Sequence, residues 1–450
     1  MSHERIYRNQ MTRRDFLWLM TVAGSALALP PLAGCATDPV TGKKSLVGLS
    51  EGQEISLDQQ QSPHQFSADY GASQDEALNR YVQDVSDDLW RHSHRPKMPY
   101  SARVLNANYI NAYTFPGGSM AATRGIMLDL QNEDELAALM GHETGHVNAR
   151  HAAEQAGKSM LVQGGLVLAS VAVAGKEQYQ PIVQLAGQIG GSALLSKYSR
   201  DNEREADALG MEYMTRAGYN PDGMVGLMGM LQSQSKAKPG LLETMFASHP
   251  MSDERYQTAA RRAEQQYAGQ RGLPLRRERY MDHTAGLRRI KPAVTAMQQG
   301  ESLLAKDQPS QAEGHFGQAL GLAPQDYAAN VLMAKAKLAQ KKEREAEPYL
   351  AQARAIYPSE GQALQLSGVA KLALNQPDAA LQFFDAYDRR LPGNANTTFL
   401  KGVAGLVPQM RRHRLSPPLL LTEHYLQRSC DVFGVEFLDF QLVFLNLSRN

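Results

Sequence analysis

The stretch from 132 to 148, Asn132-Glu-Asp-Glu-Leu-Ala-Ala-Leu-Met-Gly-His-Glu-Thr-Gly-His-Val-Asn148, organises the reading of the whole chain. Asn132 followed three residues later by Glu135 resembles a capping box, which opens a helix that continues through Leu136, Leu139 and Met140. On a helix of about 3.6 residues per turn, His142 and His146 are separated by about 400°, so both imidazoles project from nearly one face. They can share one ion. Glu143 lies beside the first of them, and Gly145 allows a neighbouring element to pack closely.

This is the HExxH pattern of zinc peptidases. Zinc held by neutral histidines keeps an open position for water, and a carboxylate beside that water can take its proton and pass it to a leaving amine. A third protein ligand is needed, and the HExxHxxGxxH extension is absent. His151 is five residues past His146, which on a continuing helix places it about 140° off the ligand face, as a surface group or one behind the ligands. The better candidate is Glu203 in Glu203-Arg-Glu-Ala-Asp207. Glu203 and Asp207 share a helix face, leaving one carboxylate for the metal and one to hold a ligand histidine by its other N–H, while Glu205 points elsewhere.

Around this helix the chain divides into several units. Its 450 residues suggest about three domains. Lys+Arg 47 against Asp+Glu 46 gives a net charge of +1, with no global field for nucleic acid, and two cysteines exclude a disulfide framework or a Cys-rich zinc module. Thr12-Arg13-Arg14-Asp15-Phe16-Leu17, then an apolar run ending Leu32-Ala33-Gly34-Cys35, reads as an export signal that resembles a twin-arginine leader with a bacterial lipobox. Cys35 would be the acylated residue, and Ala36 after it resembles the sorting pattern for the outer membrane. Residues 38–50 show neither a helical nor a strand period, as in a tether, and about 51 to 97 read as helix. Arg103–Leu105 and Ala121–Leu128 read as strands of a small antiparallel sheet joined through a Pro116-Gly117-Gly118 turn. Met160–Ala174 reads as a buried helix, Asp201–Met214 as a helix with a polar face, and the Arg-rich stretch 265–285 as a boundary.

Beyond residue 290 a period emerges. Pro324, Pro358 and Pro392 recur at one interval, as do Ala312, Ala346 and Ala380, and Phe316, Leu350 and Phe384. Small residues where helices cross, bulky ones a turn later and a proline ending each second helix resemble the tetratricopeptide repeat. Past about Leu406 the pattern is lost, and the Phe-rich tail is either a divergent cap or the product of a changed reading frame.

HExxH, E-x-x-A-D about sixty residues on, Asn-Ala-Tyr-Thr-Phe-Pro-Gly-Gly at 111–118, and Ser248-His249-Pro250 with Arg255 together resemble the gluzincin peptidase family of the CaaX prenyl protease and the heat-shock membrane protease. The export signal and repeats resemble its periplasmic branch. The resemblance implies a mainly α protein: an α+β zincin-type peptidase domain with a small antiparallel sheet, then an α-solenoid of tetratricopeptide repeats. The division is 1–34 export signal with lipobox, 35–50 tether, 51–270 zinc metallopeptidase domain, 271–290 linker, 291–405 repeats and 406–450 divergent C-terminal tail. It further implies one Zn2+ per chain on His142, His146 and Glu203, with Glu143 as general base and Asp207 behind the ligands. His249 and Arg255 would lie near the metal, His249 as an oxyanion stabiliser or as a fourth ligand in a resting form. Asn111, Ala112, Tyr113, Pro116 and Gly117 would belong to an edge along which an extended substrate adds as a strand. The implied activity is that of a lipid-anchored endopeptidase in the periplasm, at the inner face of the outer membrane. It would cleave unfolded or extended envelope proteins, take a protein partner such as outer-membrane assembly machinery on its repeats, and bind no nucleic acid. The alternative is a chaperone or assembly adaptor that acts through the repeats alone.

Overall fold

The computed structural model describes residues 35–156, 198–237, 245 and 248–412. The export signal, the helix expected over 160–174 and the tail from 413 lie outside the described residues. The segment read as a featureless tether is a hairpin: β1 (Cys35–Thr37) pairs antiparallel with β2 (Lys44–Leu46) around a turn in which Asp38 accepts from Val40 N and Thr41 Oγ1. Short-range side-chain bonds replace the missing strand period. Gly48 N then donates to Ala153 O at 2.8 Å, fastening the hairpin beside the end of the HExxH helix.

The helix expected over 51–97 is two. Ser50 caps α1 (Glu51–Ala68) in a reciprocal box with Gln53, and Asp75 caps α2 (Glu76–Arg91). Between them Tyr70 and Gly71 adopt φ 65 and φ 72, the left-handed backbone that ends a helix. The sheet is mixed where antiparallel pairing alone was expected. Its order is β3 (Ser101–Leu105), β5 (Ser119–Thr123), β4 (Ala112–Thr114), with β4 antiparallel and β3 parallel to β5. The Pro116-Gly117 turn makes β4 and β5 a hairpin, and residues 106–111 carry β3 to the other side of β5. The second expected strand stops early because Thr123 takes Ile126 N on its side chain and caps α3 (Arg124–Asp129).

The HExxH helix, α4 (Glu133–Asn148), is buried along its whole length between the sheet, α2, α5 (Arg200–Arg216) and α6 (Asp222–Ala237). Asn132 Oδ1 accepts from Glu135 N at 2.8 Å, but Glu135 returns its carboxylate to Gln131 N, one residue before the cap expected from the sequence. α7 (Asp253–Gln265) packs on α6, and α8 (Arg277–His283) and α9 (Ala285–Arg289) lead into the array.

The array consists of antiparallel pairs: α10 (Lys291–Leu304) with α11 (Pro309–Leu322), α12 (Tyr327–Ala339) with α13 (Glu343–Ile356), and α14 (Gln362–Ala373) with α15 (Pro377–Asp388), followed by α16 (Ala395–Arg412). Pro324, Pro358 and Pro392 each follow a second helix. Gly300 and Gly368 sit under Phe316 and Phe384 so closely that an added Cβ would come within 2.3 Å of the ring. The corresponding residue of the middle pair is Ala334, and its bulky counterpart is the shorter Leu350. The array is docked onto the peptidase side through buried polar bonds. Ser67 donates to Glu360, which Tyr327 of the array also holds, Tyr70 and Asn108 donate to Glu301, and Arg124 pairs with Asp326 at 2.6 Å.

Candidate metal centre

α4 and α5 cross with almost nothing between their backbones. A Cβ on Gly145 would meet Ala206 O at 2.8 Å, and one on Gly210 would meet His142 N at 2.7 Å. That proximity lets short side chains on two helices reach one point. His142, His146, Glu203 and His249 converge there, all buried. His142 Nε2 lies 3.1 Å from His146 Nε2 and 3.4 Å from His249 Nδ1, and Glu203 Oε1 lies 3.3 Å from His146 Nε2 and 3.0 Å from His249 Nδ1. Four donors bound to a tetrahedral zinc at about 2.0–2.1 Å would be separated by about 3.3–3.4 Å. The donor set therefore fits zinc in both spacing and chemistry. Without a cation several lone pairs face one another across these distances, an arrangement that burial makes costly.

The surrounding groups hold the donors in place. His142 Nδ1 is 2.9 Å from Asp207 Oδ1. Arg255 grips Asp207 with Nε and one terminal nitrogen, at 2.7 Å each, and reaches Glu203 Oε2 at 2.7 Å with the other. The structure thus brings Asp207 and Arg255 to the cluster as an anchored pair. Burial alone would raise the Asp207 and Glu203 carboxyls, yet Arg255 beside Asp207 and His249 beside Glu203 bring both below the ordinary carboxylate range. Burial drives His146 well toward its neutral form, the form that ligates a metal. His249, whose imidazole burial would likewise neutralise, is instead raised by Glu203 and Glu143.

Glu143 faces the cluster from the other side. Its Oε1 is 3.9 Å from His249 Nε2, while Oε2 has no hydrogen-bond partner among the described residues, and burial raises its carboxyl above the ordinary value. The residue is 1% exposed, so this oxygen is a buried acceptor left for a substrate or a proton donor to meet.

β4 is an edge strand of the sheet, and Asn111 through Thr114 are all buried. Asn111 O and Phe115 N bond to β5, so the alternate residues Ala112 and Thr114 turn their backbone groups to the outer edge. Asn111 Oδ1 has no partner among the described residues. Tyr113 OH donates to Asp69 at 2.6 Å, and Gly117, after Pro116, packs against Ile55 and Asp58 of α1. His249 N–H donates to Met245 O, and Ser248 O accepts from Tyr198 N.

Of the two expectations for His151, a surface group or one behind the ligands, the structure takes the second, by a route that helix geometry does not give. The 140° estimate assumes a continuing helix, but α4 ends at Asn148 and Arg150 adopts φ 57, which swings His151 back under His146 with its Nδ1 2.8 Å from His146 Nδ1. Glu205, which does point away from the donors, meets His151. Tyr198, stacked on His146 at 4.0 Å between ring centroids, carried no signal in the sequence.

Residues 76–263 match peptidase family M48, a zinc-dependent family, and residues 303–366 match the tetratricopeptide repeat. The chain is 28% identical to the beta-barrel assembly-enhancing protease of Yersinia pestis, over 55% of this chain and 53% of that protein. It is 28% identical to the Escherichia coli K12 protein of the same name, over 55% and 50%. It is 31% identical to the E. coli metalloprotease YcaL, over 35% and 60%. The chain spans about half the length of the beta-barrel assembly-enhancing proteases it matches. By these matches and this donor set, residues 76–263 resemble peptidase family M48, and an array that resembles tetratricopeptide repeats follows them.

Proposed function

We propose that the chain is an exported, lipid-anchored zinc metalloendopeptidase that cleaves extended or misfolded envelope proteins. The observation that carries this reading is Glu143: a buried carboxylate with an unpartnered oxygen, beside four convergent donors. His142, His146 and Glu203 would hold the zinc. When bound, zinc supplies a Lewis acid that polarises a scissile carbonyl and acidifies a water. Glu143 would take the proton of the attacking water and return it to the leaving amine, a transfer that burial favours by raising its carboxyl above the ordinary value. Arg255 and Asp207 hold Glu203 and His142 through these steps. His249, with Nδ1 3.0 Å from Glu203 Oε1, would be a fourth ligand in a resting form. Ala112 and Thr114 offer their outer backbone groups to an extended substrate, whose strand geometry suits unfolded chains.

The compartment and partners follow from the sequence pattern. Leu32-Ala33-Gly34-Cys35 and Ala36 support acylation of Cys35 and anchorage at the periplasmic face of the outer membrane. The relatives named for β-barrel assembly support a partner on the repeats drawn from outer-membrane assembly machinery. Among the described residues no helix is long and apolar enough to cross a membrane.

The test is casein cleavage together with zinc analysis. Purified protein should hold about one zinc, and Glu143→Gln should retain it while losing cleavage by about 10²–10⁴-fold or more. His249→Ala should raise the basal rate. Substantial cleavage by zinc-loaded Glu143→Gln would move the base elsewhere, and slower turnover with zinc retained in His249→Ala would make His249 an oxyanion stabiliser.

A further inference from the structure

The two helix histidines are backed by different chemistry. His142 turns its Nδ1 to a carboxylate, Asp207, which Arg255 clamps. His146 turns its Nδ1 to another imidazole, His151 Nδ1 at 2.8 Å, and His151 Nε2 in turn meets Glu205 Oε2 at 3.2 Å. His151 is 2% exposed, and the Glu205 side chain is 36% exposed.

Two ring nitrogens 2.8 Å apart must share one proton. The other nitrogen of His146, Nε2, faces Glu203 Oε1 and His142 Nε2 within the donor cluster, and as a zinc ligand it must keep its lone pair there rather than a proton. The shared proton therefore sits on His146 Nδ1, His151 Nδ1 accepts it, and the single proton of neutral His151 is left on Nε2, from which it donates to Glu205. Each atom in the row has one consistent role, which fixes both the tautomer and the ring plane of His146. The stacked Tyr198 ring closes the remaining face.

We propose that His151 and Glu205 are positioning residues for the metal: a relay that presents the His146 Nε2 lone pair to zinc and orients it. The relay rests on the reading of His146 as a zinc ligand. It makes the two ligands unequal, because the His142 support is sealed inside the protein whereas the His146 support ends on a carboxylate in contact with solvent.

The experiment is zinc competition against a chromophoric chelator, with the visible spectrum of the cobalt-substituted full chain and the melting temperature of the metal-stripped protein as further readouts. His151→Phe should weaken zinc by about 10–100-fold and alter the cobalt spectrum. His151→Gln, whose amide oxygen can accept from His146 Nδ1, should recover part of that loss. Glu205→Lys, a change at a partly exposed position, should weaken zinc by about tenfold without moving the metal-free melting temperature, and Glu205→Gln should stay near wild type because its oxygen still accepts. Wild-type zinc affinity and cobalt spectrum in both His151→Phe and Glu205→Lys would overturn the relay while leaving the zinc site intact. A wild-type protein that takes up no zinc would remove the site and the relay together.

Discussion

Small residues bring helices together in two regions of this molecule for different ends. At the crossing of α4 and α5 the space above Gly145 and Gly210 is occupied by backbone, so the helices approach until side chains of ordinary length meet at one point. In the array the space above Gly300 and Gly368 is occupied by the rings of Phe316 and Phe384, so the same residue type serves interdigitation. The first crossing sets distances between donor atoms, and the second sets packing volume. A donor cluster has one correct separation, whereas a packed pair has several solutions, as Ala334 with Leu350 in the middle repeat illustrates.

The contrast is broken most severely at Gly210. In Gly210→Ala the new methyl must displace the His142 backbone, because no flexible side-chain end lies there to move. We expect zinc affinity to fall by about 10²-fold or more, as displacements near 1 Å do in organised sites, with about 1–3 kcal/mol lost from global stability. Chelator competition and thermal unfolding measure the two effects. A variant that keeps wild-type zinc affinity would show that the crossing distance does not set the site.

Gly368→Ala should cost a similar 1–3 kcal/mol but leave zinc affinity and basal cleavage unchanged, since its methyl meets only the Phe384 ring. Adding Phe384→Leu should restore part of the loss, because the pair then copies Ala334 and Leu350. A double-mutant cycle with no coupling between the two positions would reject the small-with-large rule for the array.

The sequence disclosed these regions by different signals. The array was legible from its period because each repeat solves one packing problem again, and the descent of α4 was legible from His142, Glu143 and His146 because helix geometry relates neighbours four apart. The Pro116-Gly117-Gly118 turn is legible, whereas other changes of backbone direction are not. His151 reaches its place behind the ligands only because Arg150 leaves the helical region, α1 and α2 part at Tyr70 and Gly71, which do not stand out as a break in a polar helix pattern, and β3 reads as antiparallel because nothing local specifies a parallel neighbour. Glu205 became visible as a contact of the site only with His151 in place.

The smallest effect concerns how the two regions are joined. Glu360 is buried where the array meets the turn after α1, and burial raises its carboxyl above the ordinary 4.5, although Ser67, Tyr327 and the backbone N–H of Gln362 draw it partly back. Glu301 and Asp69, at the same junction, are raised for the same first reason, with Arg124 and Lys335 near Glu301 and Lys335 near Asp69 opposing it. A group whose pKa rises on folding binds its proton more tightly in the folded state, so its contribution to stability is complete below the unfolded value and fades as pH climbs through the folded one. The joint should therefore be tightest in mild acid and loosen toward neutral pH. Glu360→Gln keeps an oxygen for Tyr327 and Gln362 N and turns its NH2 toward Ser67, whose hydroxyl can accept, and it has no carboxyl proton to lose. The stability difference between wild type and Glu360→Gln should accordingly shift against wild type between pH 4.5 and pH 8, read from thermal unfolding of the full chain at each pH. Parallel stability profiles for the two proteins would mean that Glu360 carries the same charge in the folded and unfolded states and that the joint does not respond to pH through this carboxyl.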